Sequence, residues 1–125
     1  MGLVRGLIGH ASETDAAKLE QEFEPMLTDG EEITKAYKLI RDLFVFTNKR
    51  LILVDKQGVT GKKKEYHAIP YRSIVRFSKE SKGVIDLDAE LKLWIFGEPQ
   101  PIVKRFSKTE NVNDVYRVLS EACLR

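Results

Sequence analysis

Ala16, Leu19, Phe23 and Leu27 recur at intervals of three or four residues, the spacing that gathers side chains on one face of a helix. Ser12 followed by Asp15 supplies an N-terminal cap with an acid in the first turn. The pattern predicts an amphipathic helix over 13–24, closed by Pro25 and followed by a turn at Asp29-Gly30. From residue 32 the period becomes two, which predicts strands at about 32–40, 43–47, 50–56, 63–69, 73–80, 87–96 and 102–107. Short polar turns such as Arg41-Asp42, Thr47-Asn48-Lys49 and Gln57-Gly58 separate them, and Glu98-Pro99-Gln100-Pro101 is a loop because proline cannot donate to a ladder. A last helix is predicted over 111–124, capped by Asn111, with Val112, Val115, Tyr116, Leu119 and Ala122 as its apolar face. Seven short strands between two helices predict a mainly β fold, a small antiparallel barrel or sandwich over 32–107 closed by the C-terminal helix.

The same pattern leaves apolar surface over. In Asp86–Phe96, alternation sends Leu87, Ala89, Leu91, Leu93 and Ile95 inward, while the opposite face begins with charges and ends with Trp94 and Phe96. Aromatic side chains on an outward face call for cover, from the N-terminal helix or another subunit. Leu43–Phe46 and Leu51–Val54 are apolar on both faces, and the N-terminal arm, residues 1–10, adds Leu3, Val4, Leu7 and Ile8. These features predict a homo-oligomer whose interface draws on Leu3, Val4, Leu7, Ile8, Trp94 and Phe96.

Composition bounds the setting. A chain of 125 residues fits one domain, 1–125. Its one cysteine, Cys123, forms no internal disulfide, which suits the cytoplasm. The arm is too short for a membrane span, and Gly6 stands where a myristoylation signal needs Ser or Thr. The formal net charge is only +2, but it is segregated: residues 10–35 carry −6 and residues 56–82 carry +6. Two such blocks can complement each other within or between chains, or mark an anionic partner. Lys62, Lys63 and Lys64 are the candidate contacts to such a partner.

Tests for chemistry return little. Gly58-Val59-Thr60-Gly61-Lys62-Lys63 fails as a phosphate loop: two residues, not four, separate its glycines, and no Ser or Thr follows Lys62. It joins strand to strand, so no helix N-terminus receives an anion. Asp86, Asp88 and Glu90 fail as a calcium loop because Leu91 and Gly97 stand where glycine and an acid are required. His10 and His67 are isolated, Cys123 has no histidine nearby in sequence, and no serine sits in a nucleophile elbow. The expectation is a non-enzyme without metal or cofactor. Tyr66, Tyr71 and Phe77 beside the basic block leave weak, sequence-independent nucleic-acid binding as a distant alternative.

One longer pattern is more specific. Asp42-Leu43-Phe44-Val45-Phe46-Thr47-Asn48-Lys49-Arg50-Leu51-Ile52-Leu53-Val54-Asp55, continued by Lys56–Lys63, resembles the signature of the bacterial pleckstrin-homology (PH) domain family. Ile69-Pro70-Tyr71-Arg72-Ser73-Ile74, then Phe77 and Asp86–Lys92, are similar to it as well, so the resemblance spans essentially the whole chain. It implies a PH-like, seven-stranded, bent antiparallel barrel capped by the C-terminal helix, with an extra N-terminal helix. It also implies ring-like homo-oligomers, pentamers among them, and a protein-interaction role. Phosphoinositide-binding residues do not carry over. PH domains that hold these lipids use basic residues between the first two strands, where this chain has only the tight turn Ile40-Arg41-Asp42-Leu43. Peripheral binding to anionic membrane through Lys62–Lys64 remains the alternative to a protein-binding scaffold.

Overall fold

The computed structural model describes residues 7–8, 13–39, 42–58, 62–81, 89–106 and 109–124. Its elements run β1 (Leu7–Ile8), α1 (Glu13–Phe23), a 3-10 turn (Glu24–Met26), β2 (Ile33–Lys38), β3 (Leu43–Thr47), β4 (Arg50–Gln57) and β5 (Lys63–Pro70). A second 3-10 turn (Tyr71–Ser73), β6 (Ile74–Ser81), β7 (Ala89–Ile95), β8 (Ile102–Phe106) and α2 (Thr109–Cys123) complete the chain. The protein is mainly β, with seven antiparallel strands and a helix near either end. The strands fall in two sheets, in the orders β1-β2-β3-β4-β5 and β6-β7-β8. The chain accordingly divides into two compact units, Met1–Ala68 and Ile69–Arg125. Pro70 ends β5, since it has no amide to offer a ladder.

In the first unit β2, β3 and β4 pair in register Ala36–Val45–Ile52 and Tyr37–Phe44–Leu53. Residues opposite one another share a face, so Ala36, Val45, Ile52 and Val54 lie together, joined by Ile33. Leu19 and Phe23 of α1, one helical turn apart, close this layer, with Met26, Leu27 and Leu43 at its margin. The other face carries Tyr37, Phe44, Phe46, Leu51 and Leu53, all buried, with Tyr37 edge-on to Phe46 at 5.8 Å. The two-faced apolar runs Leu43–Phe46 and Leu51–Val54, expected to need another subunit, are thus almost wholly buried within one chain. Oligomer formation gains no support from them. The N-terminal arm contributes β1, which pairs in parallel with β2 as Leu7–Ala36 and Ile8–Tyr37.

In the second unit β7 is central. Its inward residues Ala89, Leu91 and Leu93 are buried with Phe106 of β8 and with Val112, Val115 and Leu119 of α2. Tyr116 of α2 meets Phe77 of β6 edge-on, ring centroids 5.2 Å apart, so α2 packs on the inward face. Ile95, expected inside, is only half-buried, and Leu87 lies outside the described residues. α2 begins at Thr109, so Asn111 sits inside the helix rather than capping it. Ser12, the expected cap of α1, lies outside the described residues.

Candidate interaction surface

Three polar or exposed regions stand out among the described residues. The first is the corner where the loop between α1 and β2 meets the turn between β3 and β4. Gly30, with φ 77°, occupies the third position of a turn closed by the Glu31 amide donating to the Thr28 carbonyl at 3.0 Å; only glycine adopts that angle without cost. The turn delivers the Glu31 carboxylate, 4% exposed, into a ring of donors. Oε2 accepts from Thr47 Oγ1 at 2.7 Å and Arg50 Nε at 2.9 Å. Oε1 accepts from the Thr28 amide at 3.0 Å and Arg50 Nη2 at 3.1 Å. Burial pushes the Glu31 carboxyl up, but bonds from Arg50, the Thr28 amide and Thr47, with the Arg50 charge, outweigh it and lower the pKa to about 2.

Every member of Thr47-Asn48-Lys49-Arg50 is consumed here. Arg50 Nη2 also donates to the Met26 carbonyl at 2.9 Å. Asn48 accepts from the Glu32 amide at 2.8 Å and donates to the Gly30 carbonyl at 3.0 Å. Lys49 Nζ donates to the Asp29 carbonyl at 2.9 Å. These four residues bolt α1 and its loop onto the sheet; they present no ligand site.

The second region is β5, whose residues 63–68 are all exposed. Lys62 and Lys63 are exposed, and Lys64 Nζ pairs with Glu22 of α1 at 3.1 Å. The Tyr66 hydroxyl donates to the same Glu22 oxygen, and its ring meets Phe23 edge-on at 5.8 Å. Burial, with the bond to Glu22 and its charge, pushes the Tyr66 phenol up to about 12. The acidic and basic blocks of the sequence therefore meet within one chain, at least at this pair. On the opposite face of the strand, His67 and Gln57 both approach Glu65, at 3.1 and 3.3 Å.

The third region is the outward face of the β6-β7-β8 sheet. Cross-strand register places Arg76 beside Trp94, Ser78 beside Lys92 and Val103, and Glu80 beside Glu90 and Arg105. Glu90 and Arg105 form an ion pair at 3.2 Å. Arg76 lays its guanidinium over the Trp94 ring, 4.1 Å from the centroid, leaving Trp94 half-buried. A register shift between Ile74 and Arg76 turns Val75 out, 57% exposed, and Val103 is 47% exposed. Phe96 follows β7 in a turn that Glu98 closes by donating to the Ile95 carbonyl at 2.9 Å. Gly97 supplies the positive φ, 86°, of that turn's third position, and Phe96 is held outward, 79% exposed.

Of the residues named from the sequence, Trp94 is half-buried under Arg76 and Phe96 is exposed just past the end of the same strand. Val75 and Val103 were missed; the alternation of Val103 gave a signal, but the irregularity that exposes Val75 is invisible in a period of two. Leu7 and Ile8 form β1, which belongs to the other sheet, while Leu3 and Val4 fall outside the described residues. Among the described residues no three His, Cys, Asp or Glu side chains gather as metal ligands. Burial raises the Cys123 thiol, which works against nucleophilic use. No described helix is long and apolar enough to cross a membrane.

A family model described as bacterial PH domain matches residues 2–123. The chain belongs to the bacterial PH domain family. It is 52% identical over 125 residues to the uncharacterized protein YjqA of Bacillus subtilis strain 168, covering 99% of this chain and all of that one. Among solved structures, a pleckstrin homology domain from Shewanella amazonensis SB2B superposes with a TM-score of 0.80 at 53% identity, covering 94% of each chain. A DUF1696 family protein with a pleckstrin-homology domain from Shewanella loihica PV-4 gives 0.74 at 49% identity, over 86% of this chain and 92% of that one. Between β2 and β3 the Leu39 amide donates to the Asp42 carbonyl at 2.9 Å. Ile40 and Arg41 lie outside the described residues.

Proposed function

We propose that this PH-type domain is a non-catalytic, cytoplasmic scaffold that associates with copies of itself into a ring, a pentamer being the expected closure, and binds a partner protein. The observation that carries this reading is the outward face of the β6-β7-β8 sheet. Trp94 lies under Arg76 there, Val75 and Val103 are exposed on β6 and β8, and Phe96 is exposed just after β7; aromatic residues with arginine are the composition of interface centres. The test is native mass measurement of the wild type and of a Trp94→Glu/Phe96→Glu variant at micromolar concentration. The wild type is expected as a closed oligomer and the variant as smaller species; a wild type found only as monomer overturns the reading.

Peripheral attachment to anionic membrane is the second reading, favoured by exposed Lys62 and Lys63. Its electrostatic footprint is reduced because Lys64 is already engaged by Glu22. Co-sedimentation with anionic vesicles across a salt series, compared with a Lys62/Lys63/Lys64→Glu variant, decides it. Salt-sensitive binding that the variant loses supports it, and no binding at low salt removes it.

A further inference from the structure

We propose that the outward face of the β6-β7-β8 sheet receives an extended segment of a partner protein that carries an acid and, four residues from it, a base. This rests on the reading of that face as an interaction surface and names what the partner brings to it.

The cross-strand register sets the side chains of this face in three rows. Arg76 lies opposite Trp94, Ser78 opposite Lys92 and through it Val103, and Glu80 opposite Glu90 and through it Arg105. In the first row the Arg76 guanidinium sits over the Trp94 ring, 4.1 Å from its centroid. A guanidinium held on a ring keeps its N–H edge for a carboxylate, which it binds with two parallel bonds. Lys92 adds a second positive charge one row along, and among the described residues neither cation meets a carboxylate. The third row has the opposite character. Glu80 and Glu90 face each other, an unfavourable like pair; Arg105 pairs with Glu90 at 3.2 Å, and Glu80 is exposed.

Charge therefore changes sign along the strands, from Arg76 and Lys92 to Glu80. Positions 76 and 80 share one side of β6 and stand about 13 Å apart, at about 3.3 Å per residue. An extended segment laid along the strands has the same repeat, so an acid and a base four residues apart in it meet both ends together. An apolar residue midway meets Val103, which is exposed in the middle row. The same layout selects the class of partner. A nucleic-acid strand or an anionic bilayer presents negative charge without a break; it is attracted at Arg76 and Lys92 but repelled at Glu80. A protein segment can change sign where this face does, and complementarity of that kind sets register and excludes wrong partners.

Trp94 is the one tryptophan of the chain, so its emission reports occupancy of the site. The full chain is titrated at low salt with the acetylated, amidated peptide Thr-Glu-Thr-Val-Thr-Lys-Thr, whose Glu, Val and Lys face one way when extended. The expected result is a saturable change in emission. Arg76→Gln and Lys92→Gln should each weaken binding about tenfold, the scale of one lost charge-assisted contact. Lys92→Gln leaves the Arg76 stack in place, so its effect is not a change in the reporter. A peptide with Gln in place of Glu, and one with Glu and Lys made adjacent, should both bind more weakly. No emission change up to about 1 mM peptide overturns the proposal, as does binding that neither variant alters. Tighter binding of oligothymidylate or of phosphatidylserine vesicles than of the peptide also overturns it, by assigning the cations to a polyanion. Native mass of the same samples keeps the two ideas apart. Peptide binding to a chain that is only monomeric removes the ring and leaves the site, whereas an oligomer that ignores the peptide removes the site and leaves the ring.

Discussion

The Arg50 guanidinium grips the Glu31 carboxylate with two bonds, Nε to Oε2 at 2.9 Å and Nη2 to Oε1 at 3.1 Å. The Glu31 side chain is almost sealed from water, so the pair is not one of the surface ion pairs that contribute little. Removing the cation leaves a buried carboxylate with only neutral donors. Arg50→Met is therefore expected to lower unfolding stability by about 3 kcal/mol, toward the lower end of values for broken buried pairs, because Thr28 and Thr47 still donate to Glu31. Urea denaturation measures it. Arg50→Lys should fall between the two, since an ammonium replaces the charge but not the paired geometry. A loss below about 0.5 kcal/mol for Arg50→Met, the scale of ordinary surface substitutions, would mean that the corner is a solvated contact.

The same carboxylate dictates a pH dependence. Its pKa is lowered on folding, from 4.5 to about 2, so the folded state favours the ionised form. The stability it contributes is fully present above about pH 4.5 and is lost as pH falls toward 2, on the order of 2–3 kcal/mol in all. Glu31→Gln should be less stable than wild type at neutral pH, and the gap should narrow as the solution is acidified through that window. Urea midpoints at pH 7, 5, 4 and 3 provide the comparison. A gap that stays constant would show that the loss in Glu31→Gln comes from packing rather than from charge.

Tyr66 reports on the other contact between α1 and the sheet. With its hydroxyl donating to Glu22, the phenol is raised from 10.0 to about 12, so its small contribution is present below pH 10 and lost as pH rises through 12. Ultraviolet titration of tyrosinate, taken as the difference between wild type and Tyr66→Phe, should show one phenol ionising late. Glu22→Gln should bring that phenol back toward 10, because the carboxylate charge that opposes tyrosinate is gone. A Tyr66 phenol that titrates with an ordinary pKa in wild type would dissolve the contact.

These contacts also mark how far the sequence could be read. β3 and β4 stand where alternation and the Thr47-Asn48-Lys49 turn predicted them, because dense aromatic and β-branched runs leave the backbone few alternatives. The helix before the strands was equally plain from Leu19 and Phe23. The role of Thr47-Asn48-Lys49-Arg50 was not. Those residues matched a family signature, yet their partners at Met26, Thr28, Asp29, Gly30, Glu31 and Glu32 lie some 16 to 24 positions away, a pairing that local periodicity does not carry. One trace existed: Glu31 stands two residues before buried Ile33, an acid in the phase of an inward position. For the outward face, alternation found Trp94 and Phe96 but not the Arg76 stack, which needs the register between β6 and β7. The doubly apolar runs misled, because alternation shows which residues need cover but not that the same chain provides it.

Trp94 and Phe96 allow assembly to be separated from folding. Phe96 sits at the turn after β7 with most of its surface in solvent, so the isolated chain gains little from its ring. Phe96→Ser should change unfolding stability by no more than about 0.5 kcal/mol when measured at concentrations where the chain is monomeric. Trp94 is half-buried beneath Arg76, and Trp94→Ala should cost about 1–2 kcal/mol under the same conditions from lost burial and the cation–π contact. If the face is an interface, both variants should raise the concentration at which oligomers appear by tenfold or more, the effect of losing about 1.4 kcal/mol from one contact. The diagnostic variant is then Phe96→Ser: it should be impaired in assembly while folding as well as wild type. Sedimentation velocity over a dilution series, beside urea melts of the same samples, reads both quantities. Assembly that survives Phe96→Ser and Trp94→Ala unchanged would assign the exposed aromatic face to a partner protein rather than to copies of this chain.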